Sequence, residues 1–427
     1  MQAIISLSKQ RGFMYPGSEI YGGISGMWDY GPLGLRLKQN VEKLWWRMFV
    51  ENREDMYGLD SSVITHPDVW KASGHVASFA DPLIDCKKCQ SRFRADQIDV
   101  SLGCPDCSSH DFSEVRPFHM MFKTFVGAVE DSAAETYLRP ETAQGIFLNF
   151  KNVIDSFHPA LPFGIAQIGK AFRNEITPGN MLFRLREFSQ MEIEYFVRPH
   201  DWEKYFEAWR TNINAWGEAL GLRLQEIEVP APERAFYSKR TIDFNFSYPF
   251  GQDELYGLAY RGDYDLQNHT KFSGKDLYYF DEATKERIVP HVIEPTFGVD
   301  RTILALLLSA YATEPDKEGT RTVLKLKPNL APYTAAVFPL LSNKPELVLR
   351  AREIYQGLKS SLAVAWDDIG NIGKRYRRQD EIGTPYAITV DFETLEDGSV
   401  TVRDRDSMQQ ERVNETELAE YLRTKIA

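Results

Sequence analysis

The chain has 427 residues, a length that accommodates about two to four domains. Hydrophobic residues make up 43% and charged residues 26%, an ordinary globular composition, and no run of about 18 apolar residues offers a membrane span. The net charge of −11 excludes a protein coated in non-specific nucleic-acid contacts, and it is unevenly spread. From Arg321 onward 16 basic and 16 acidic side chains cancel, so the excess of acid lies in the first 320 residues. Met1-Gln-Ala-Ile-Ile-Ser is too short for a signal sequence, which leads us to expect a cytoplasmic protein. No internal repeat or low-complexity tract is present.

In chain order, residues 22–34 form a glycine-rich turn region, with Pro32 where a first helical turn accepts it. Leu37, Val41, Leu44, Trp45 and Met48 then recur at helical spacing and predict an amphipathic helix over 34–50. Trp45 and Trp46 are adjacent, so one indole leaves the main stripe and points to a second packing surface, such as another subunit. Asp60–Pro67 reads as a strand stopped by proline.

All four cysteines fall in Cys86-x-x-Cys89 and Cys104-x-x-Cys107, which is not the distribution of a secreted disulfide framework. Two such pairs match a four-thiolate zinc site with sulfurs about 2.3 Å from the ion. Four sulfur ligands leave no open position, so the expected role is structural. Reduced surface cysteines are the plain alternative. A redox pair is disfavoured, because no strand-to-helix setting surrounds either motif.

Phe163–Glu175 reads as a strand, followed by a loop with Pro178-Gly179 and a returning strand over 188–197. Period two places Met191, Ile193, Tyr195 and Val197 on one face and Phe188, Gln190, Glu192 and Glu194 on the other. On the outgoing strand Gln167, Arg173 and Glu175 share a face. A half-buried sheet with its polar face in water would alternate in the same way. Residues 201–220 form a Trp-rich amphipathic helix, and Thr241–Phe246 alternates again. Gly251–Leu266 adds acids with an Arg close to them. Val292–Arg301 ends a strand and opens a helix apolar on every side.

Residues 312–320 are polar with Pro and Gly and mark the domain boundary. Beyond it, strands over 323–327, 335–340, 362–366, 386–391 and 399–404 alternate with helices over 345–360, 374–381 and 415–425, a mixed α/β order. Within it Lys374, Arg375, Tyr376, Arg377 and Arg378 form the one dense basic-aromatic cluster.

Arginine gives planar, bidentate and permanently charged recognition of phosphate oxygens. No Walker loop or G-x-G-x-x-G is present, so neither the P-loop nor the Rossmann solution applies. Phe172-Arg-Asn-Glu175, the hairpin loop after it and Glu294-Pro-Thr-Phe-Gly-Val-Asp-Arg301 together resemble motifs 2 and 3 of class II aminoacyl-tRNA synthetases. The 34–50 helix running to Pro67 resembles motif 1. Trp28-Asp-Tyr-Gly-Pro-Leu-Gly34, Arg92-Phe-Arg-Ala-Asp96, Tyr137–Gly145 and Arg186–Phe196 narrow the resemblance to the dimeric, eukaryote-like glycyl-tRNA synthetases, over essentially the whole chain.

The resemblance implies an α+β catalytic domain over 1–320, an antiparallel sheet flanked by helices with a zinc-knuckle insertion at 82–118. A mixed α/β anticodon-binding domain follows at 321–427. It implies attachment of glycine to tRNA(Gly) through a glycyl-adenylate, with ATP and Mg2+ as partners and a homodimer formed through motif 1. It assigns Arg173 to the α-phosphate and carboxylate, Arg301 to the γ-phosphate, Phe188 to adenine stacking and Glu175 to the adenine amine. Asn174, Phe183, Arg184, Leu185, Arg186, Glu187, Glu254, Leu255, Gly298, Val299 and Asp300 complete the ATP site, Glu254 being the candidate for Mg2+. Glycine is assigned to Glu141, Glu192 and Glu294, with Arg94, Phe188, Ser189, Gln190, Met191, Pro295, Thr296, Phe297 and Gly298 around them. Thr296 stands where the family usually has Ser, and its methyl would shrink the pocket further. The basic cluster 374–378 is assigned to tRNA. A synthetase-derived binding subunit without chemistry would have lost at least one of Arg173, Glu175, Glu192, Glu294 and Arg301, and all five are present.

Overall fold

The computed structural model describes residues 1–130, 134–316 and 319–426. Its larger sheet is built from β1 (Met56–Gly58), β2 (Phe163–Phe172), β3 (Glu187–Val197), β4 (Gln225–Glu228), β5 (Arg240–Tyr248), β6 (Gly251–Gly262) and β7 (His291–Gly298). The spatial order is β4-β5-β6-β7-β3-β2-β1. Every neighbouring pair is antiparallel except the short edge strand β1, which runs parallel to β2.

The period-two pattern of β3 decides what lies on each side of the sheet. Met191, Ile193 and Tyr195 face a core built with three helices. These are α1 (Pro32–Trp46), α3 (Trp202–Leu220) and α4 (Val299–Ala310). Each brings a stripe at helical spacing, such as Phe206, Trp209, Ile213 and Trp216 on α3, all essentially without solvent exposure. Burying side chains of this size contributes about 1.5–3 kcal/mol each, so this face anchors the sheet. On the opposite face α2 (Ala143–Phe157) lays Ile146, Phe147 and Phe150 against Phe163, Ile165 and Phe196. That cover is partial. The face passes from the apolar end at Phe196, through Glu194 and Glu192, to an open cleft at Gln190 and Phe188.

Several expectations are corrected here. Asp60–Pro67 is an irregular segment with one bridge, Ile64 to Leu138, and the edge strand lies upstream at Met56–Gly58. Pro67 opens a helix (Pro67–Ala72) instead of stopping a strand, as its preset φ and missing N–H suit a first helical turn. Trp46, off the main stripe as expected, is half-buried and lays its indole on Gly58, where an added Cβ would come within 2.5 Å of the ring. The outgoing strand ends at Phe172, so Arg173 and Glu175 belong to the loop and share no strand face with Gln167. The polar face of β3 is not in water, since Glu192 and Glu194 are 1% and 0% exposed.

The segment expected to mark the domain boundary carries two paired strands. Tyr311–Asp316 and Gly319–Leu324 pair as a hairpin, pinned by the buried Arg321, which donates to Glu314 and Asp380. The second sheet has the order Val364–Trp366, Ala335–Pro339, Tyr386–Val390, Ser399–Asp404, Gln410–Asn414. Its first three strands are parallel and the last two antiparallel. The strand at 410–414 and the helix Phe392–Asp397 were absent from the sequence reading. The segment 410–414 carries a single buried side chain, Val413, so it has no apolar signal. The final helix starts at Leu418, three residues later than expected.

Candidate active site

The cleft on the sheet has a volume of about 320 Å3. Strand alternation sends Phe188, Gln190 and Glu192 of β3, Glu294 and Thr296 of β7, Asp243 of β5 and Glu254 of β6 into it. The loop between β2 and β3 forms one wall with Arg173, Glu175, Leu182, Phe183, Arg184 and Leu185. This loop folds back on itself through a Gly179–Arg184 bridge, and Arg186 ties it to the glycine-rich segment by donating to Ser25 O.

The two arginines expected at the phosphates both line the cleft. Arg173 is positioned by one donated bond, Nε to Pro140 O at 3.0 Å, and its guanidinium lies 5.4 Å from the Phe79 ring and 5.3 Å from the Phe188 ring. Arg301 sits in the first turn of α4, directly after the strand, where helix geometry turns it back over the sheet. It donates to Phe183 O at 3.1 Å and to Glu254 O and Oε2 at 2.8 and 3.1 Å, with the Phe183 ring 4.4 Å away. Glu175 also lines the cleft, and burial raises its carboxyl above the usual range.

The acids form the other end. Glu141, Glu192 and Glu294 are 4%, 1% and 4% exposed and line one pocket. Glu141 receives His75 Nε2 at 3.3 Å and Gln144 Nε2 at 3.0 Å. Burial opposes its charge, but His75 and Arg261 outweigh burial and hold the carboxyl well below its ordinary value. Glu192 accepts the hydroxyls of Thr142 and of Thr296, the latter at 3.1 Å. Thr142 precedes α2 and gives its hydroxyl to Glu192 instead of capping its own helix. Glu294 accepts from Arg261 at 3.0 Å, yet burial and the nearby Glu192 and Glu141 push its carboxyl up to about 8.

The organiser of this end was not assigned from sequence. Arg261 on β6 is 0% exposed and donates to Asp265 at 2.7 and 2.9 Å as well as to Glu294, and its guanidinium stacks 3.7 Å from the Tyr237 ring. The sequence showed an Arg among acids, but only the register of β6 beside β7 brings Ala259 opposite Glu294 and so sets Arg261 near it. Asp243 was missed too. Burial and the neighbouring Glu254 push it up to about 7, an acid pair that a divalent cation would suit.

Other assigned residues are placed elsewhere. Met191, Phe297 and Val299 point into the core beneath the sheet, as alternation requires beside Glu192 and Thr296. Pro295 is buried in β7 and, with Asn174, Arg186 and Glu187, does not line the cleft. Asn174 donates its backbone N–H to Met120 O at 2.7 Å. Asp300 does line the cleft, but it is 3% exposed and spends its oxygens on Ser189 N–H at 2.6 Å and Tyr30 OH at 2.6 Å, locking α4 to β3. Arg94 lies outside the cleft, paired with Asp81 and Asp96.

The four cysteines converge. Cys86 and Cys107 sulfurs are 3.6 Å apart, as are those of Cys89 and Cys104, and all four lie within 4.8 Å of one another. Each motif closes with the same turn: Gln90 N–H donates to Cys86 O and Ser108 N–H to Cys104 O, with both Gln90 and Ser108 at positive φ. Sulfurs about 2.3 Å from a tetrahedral ion would be roughly 3.8 Å apart, so the donor set fits zinc.

In the basic cluster on α5 (Ile372–Ile382), Arg375 is 1% exposed and donates to the carbonyls of Pro339, Asp368 and Gly370. Arg377 pairs with Asp316 and Asp380, and Arg378 grips Asp367 with two bonds of 2.7 Å. The Tyr376 hydroxyl bonds Thr389 under the Arg403 guanidinium, which leaves Lys374 as the exposed cation of the five.

A seven-stranded sheet, antiparallel but for its short parallel edge strand, with an arginine on the strand-to-strand loop and another at the strand-to-helix bend is the architecture of a class II aminoacyl-tRNA synthetase. The family model "tRNA synthetase class II core domain (G, H, P, S and T)" matches residues 124–310, and "Anticodon binding domain" matches residues 334–425. Within that class the chain belongs to the glycine--tRNA ligase family. It is 48% identical to the glycine--tRNA ligases of Alkaliphilus oremlandii and Geobacillus thermodenitrificans, over all of this chain and 98% of each relative. It is 50% identical to that of Borrelia garinii subsp. bavariensis, over all of this chain and 97% of the relative. Among the described residues no helix is long and apolar enough to cross a membrane.

Proposed function

We propose that this chain attaches glycine to tRNA(Gly) in two steps, with glycyl-adenylate between them. The observation that carries the reading is one cleft holding Arg173 and Arg301 on its wall and three buried glutamates, Glu141, Glu192 and Glu294, at its other end. Such a cleft suits a ligand with phosphates at one end and an ammonium at the other. Arg173 would meet the α-phosphate and the glycine carboxylate, stabilising charge as the carboxylate attacks phosphorus and pyrophosphate leaves. Arg301 would take the γ-phosphate, exchanging its contact with Glu254 for the nucleotide. Phe188 would stack on adenine and Glu175 accept from its amine. Glu254 and Asp243 would hold Mg2+, which when bound offsets the charge of the triphosphate. Holding both reactants in place supplies most of the acceleration, and no protein nucleophile is needed.

Selection of glycine rests on size. The Thr296 hydroxyl is fixed on Glu192, and its methyl would narrow the pocket against any amino-acid side chain. Discrimination by one methyl is worth about 1–3 kcal/mol. The test is transfer of labelled glycine to tRNA(Gly) with ATP: charging by the wild type and none by Arg173→Ala supports the reading, and no charging by the wild type rejects it.

The four cysteines would hold one structural zinc, closing an insertion too small for a core of its own. About one equivalent of metal per chain by elemental analysis is expected, and four free thiols without metal would refute it. A eukaryote-like homodimer through the motif 1 region, the 34–50 helix running to Pro67, is the assembly we favour, and a monomeric mass at micromolar concentration would count against it. The chain would act in the cytoplasm, with the C-terminal domain reading the anticodon arm.

A further inference from the structure

Behind the ammonium end of the cleft lies a fourth glutamate that the proposed reaction does not use. Glu194 is 0% exposed, and neither carboxyl oxygen has a hydrogen-bond partner. The register that pairs Glu192 with Thr296 and Tyr195 with Ile293 sets Glu194 opposite Glu294. One oxygen from each of Glu192, Glu194 and Glu294 lies within 4.8 Å of the others, which makes these carboxyls one cluster.

The hydrogen bonds formed around this trio go to other acceptors, and none reaches Glu194. Arg261 serves Asp265 and Glu294, Thr142 and Thr296 serve Glu192, and His75 and Gln144 serve Glu141. An ionised Glu194 would therefore be a buried charge packed against two further carboxyls with no donor of its own, an arrangement proteins avoid. As a neutral acid it has one O–H to give, and Glu192 and Glu294 are the acceptors within reach. Burial and the neighbouring Glu294 also favour the neutral form.

We propose that Glu194 is a positioning residue of the ammonium pocket: it stays uncharged and donates its O–H as a hydrogen bond to a facing carboxylate, Glu192 or Glu294, which it holds in place for glycine. The proposal rests on the glycine reading above. It also accounts for how carboxylates can sit this close in a dry pocket, since a shared proton removes part of their repulsion.

The experiment measures glycine-dependent ATP–pyrophosphate exchange on the full chain for wild type, Glu194→Gln and Glu194→Leu, with KM for glycine and KM for ATP determined separately. Gln keeps the shape and an N–H donor without a charge, whereas Leu keeps the volume alone. Glu194→Leu should raise KM for glycine roughly tenfold and leave KM for ATP unchanged, and Glu194→Gln should stay within about threefold of wild type. A Gln variant as impaired as Leu would mean that the site needs a negative charge, as for a third ammonium ligand or a bound cation, and would overturn the proposal. A wild-type KM in the Leu variant, or equal losses for glycine and ATP, would overturn it as well. Should the Leu variant fail to fold, Glu194→Gln decides alone. A wild type that shows no glycine-dependent exchange would instead sink the glycine reading itself.

Discussion

The cleft and helix α5 are both rich in arginine and use it in opposite ways. On α5 the two terminal nitrogens of Arg375 donate to three backbone carbonyls, and the guanidinium groups of Arg377 and Arg378 are matched to carboxylates. In the cleft Arg173 is oriented by one carbonyl and two aromatic rings, and among the described residues it forms no ion pair. Fully paired arginines hold a fold together, whereas an oriented and unneutralised one is poised for an anion. Arg301 stands between the two, with Glu254 as a partner that the nucleotide can displace. Arginine density alone therefore says little about ligands.

The largest effects should come from the cleft. Arg173→Ala should lower the exchange rate by roughly a thousandfold, the scale for removing a group that meets developing charge. Thermal stability should be nearly unchanged, since the residue makes one hydrogen bond to the protein. Loss of stability with retained exchange would invert the comparison. Arg301→Ala should lower exchange on the same scale, with KM for ATP as the more sensitive constant.

Next comes the pH response of glycine binding. Glu294 is pushed up to about 8 in the empty pocket, and the ammonium needs it charged. Below pH 8 a proton must leave before glycine binds, so KM for glycine should rise as pH falls from 8 to 6, by at most about tenfold per unit. Above pH 8 it should flatten. Glu294→Gln should raise KM for glycine strongly and abolish this slope, and a slope that survives the substitution would assign it to another group.

The smallest effects should come from α5. Arg378→Ala loses a half-buried two-bond ion pair with Asp367 and should cost about 1 kcal/mol of stability, read by denaturant unfolding, with exchange unchanged. Lys374→Ala should leave stability alone and raise KM for tRNA about twofold in charging assays, with a weaker salt dependence. If Arg378→Ala instead weakened tRNA binding without touching stability, the pairing seen here would be secondary to recognition.

Much of the sheet was legible because period-two patterns are local: Met191, Ile193 and Tyr195 announced the core side of β3, and the Gly298 bend announced α4. The other face was not legible as buried. Glu192 and Glu194 look like solvent-facing acids until α2 and β6 are folded over them, and that cover is a long-range fact. Arg261 and Asp243 were invisible for the same reason, since strand register defines their neighbours. The α5 cluster looked like a binding surface because Asp316 and Asp367, which neutralise Arg377 and Arg378, lie outside the helix. The hairpin at the expected domain boundary was not legible because Tyr311–Asp316 buries no side chain.

The central claim is that one cleft selects glycine and joins it to ATP. Its most direct test is ATP–pyrophosphate exchange by the wild-type chain with glycine, alanine or serine supplied alone. Exchange driven by glycine, with alanine and serine at least about tenfold weaker in kcat/KM, is the predicted result. Equal exchange with alanine or serine, or none with glycine, would contradict the account.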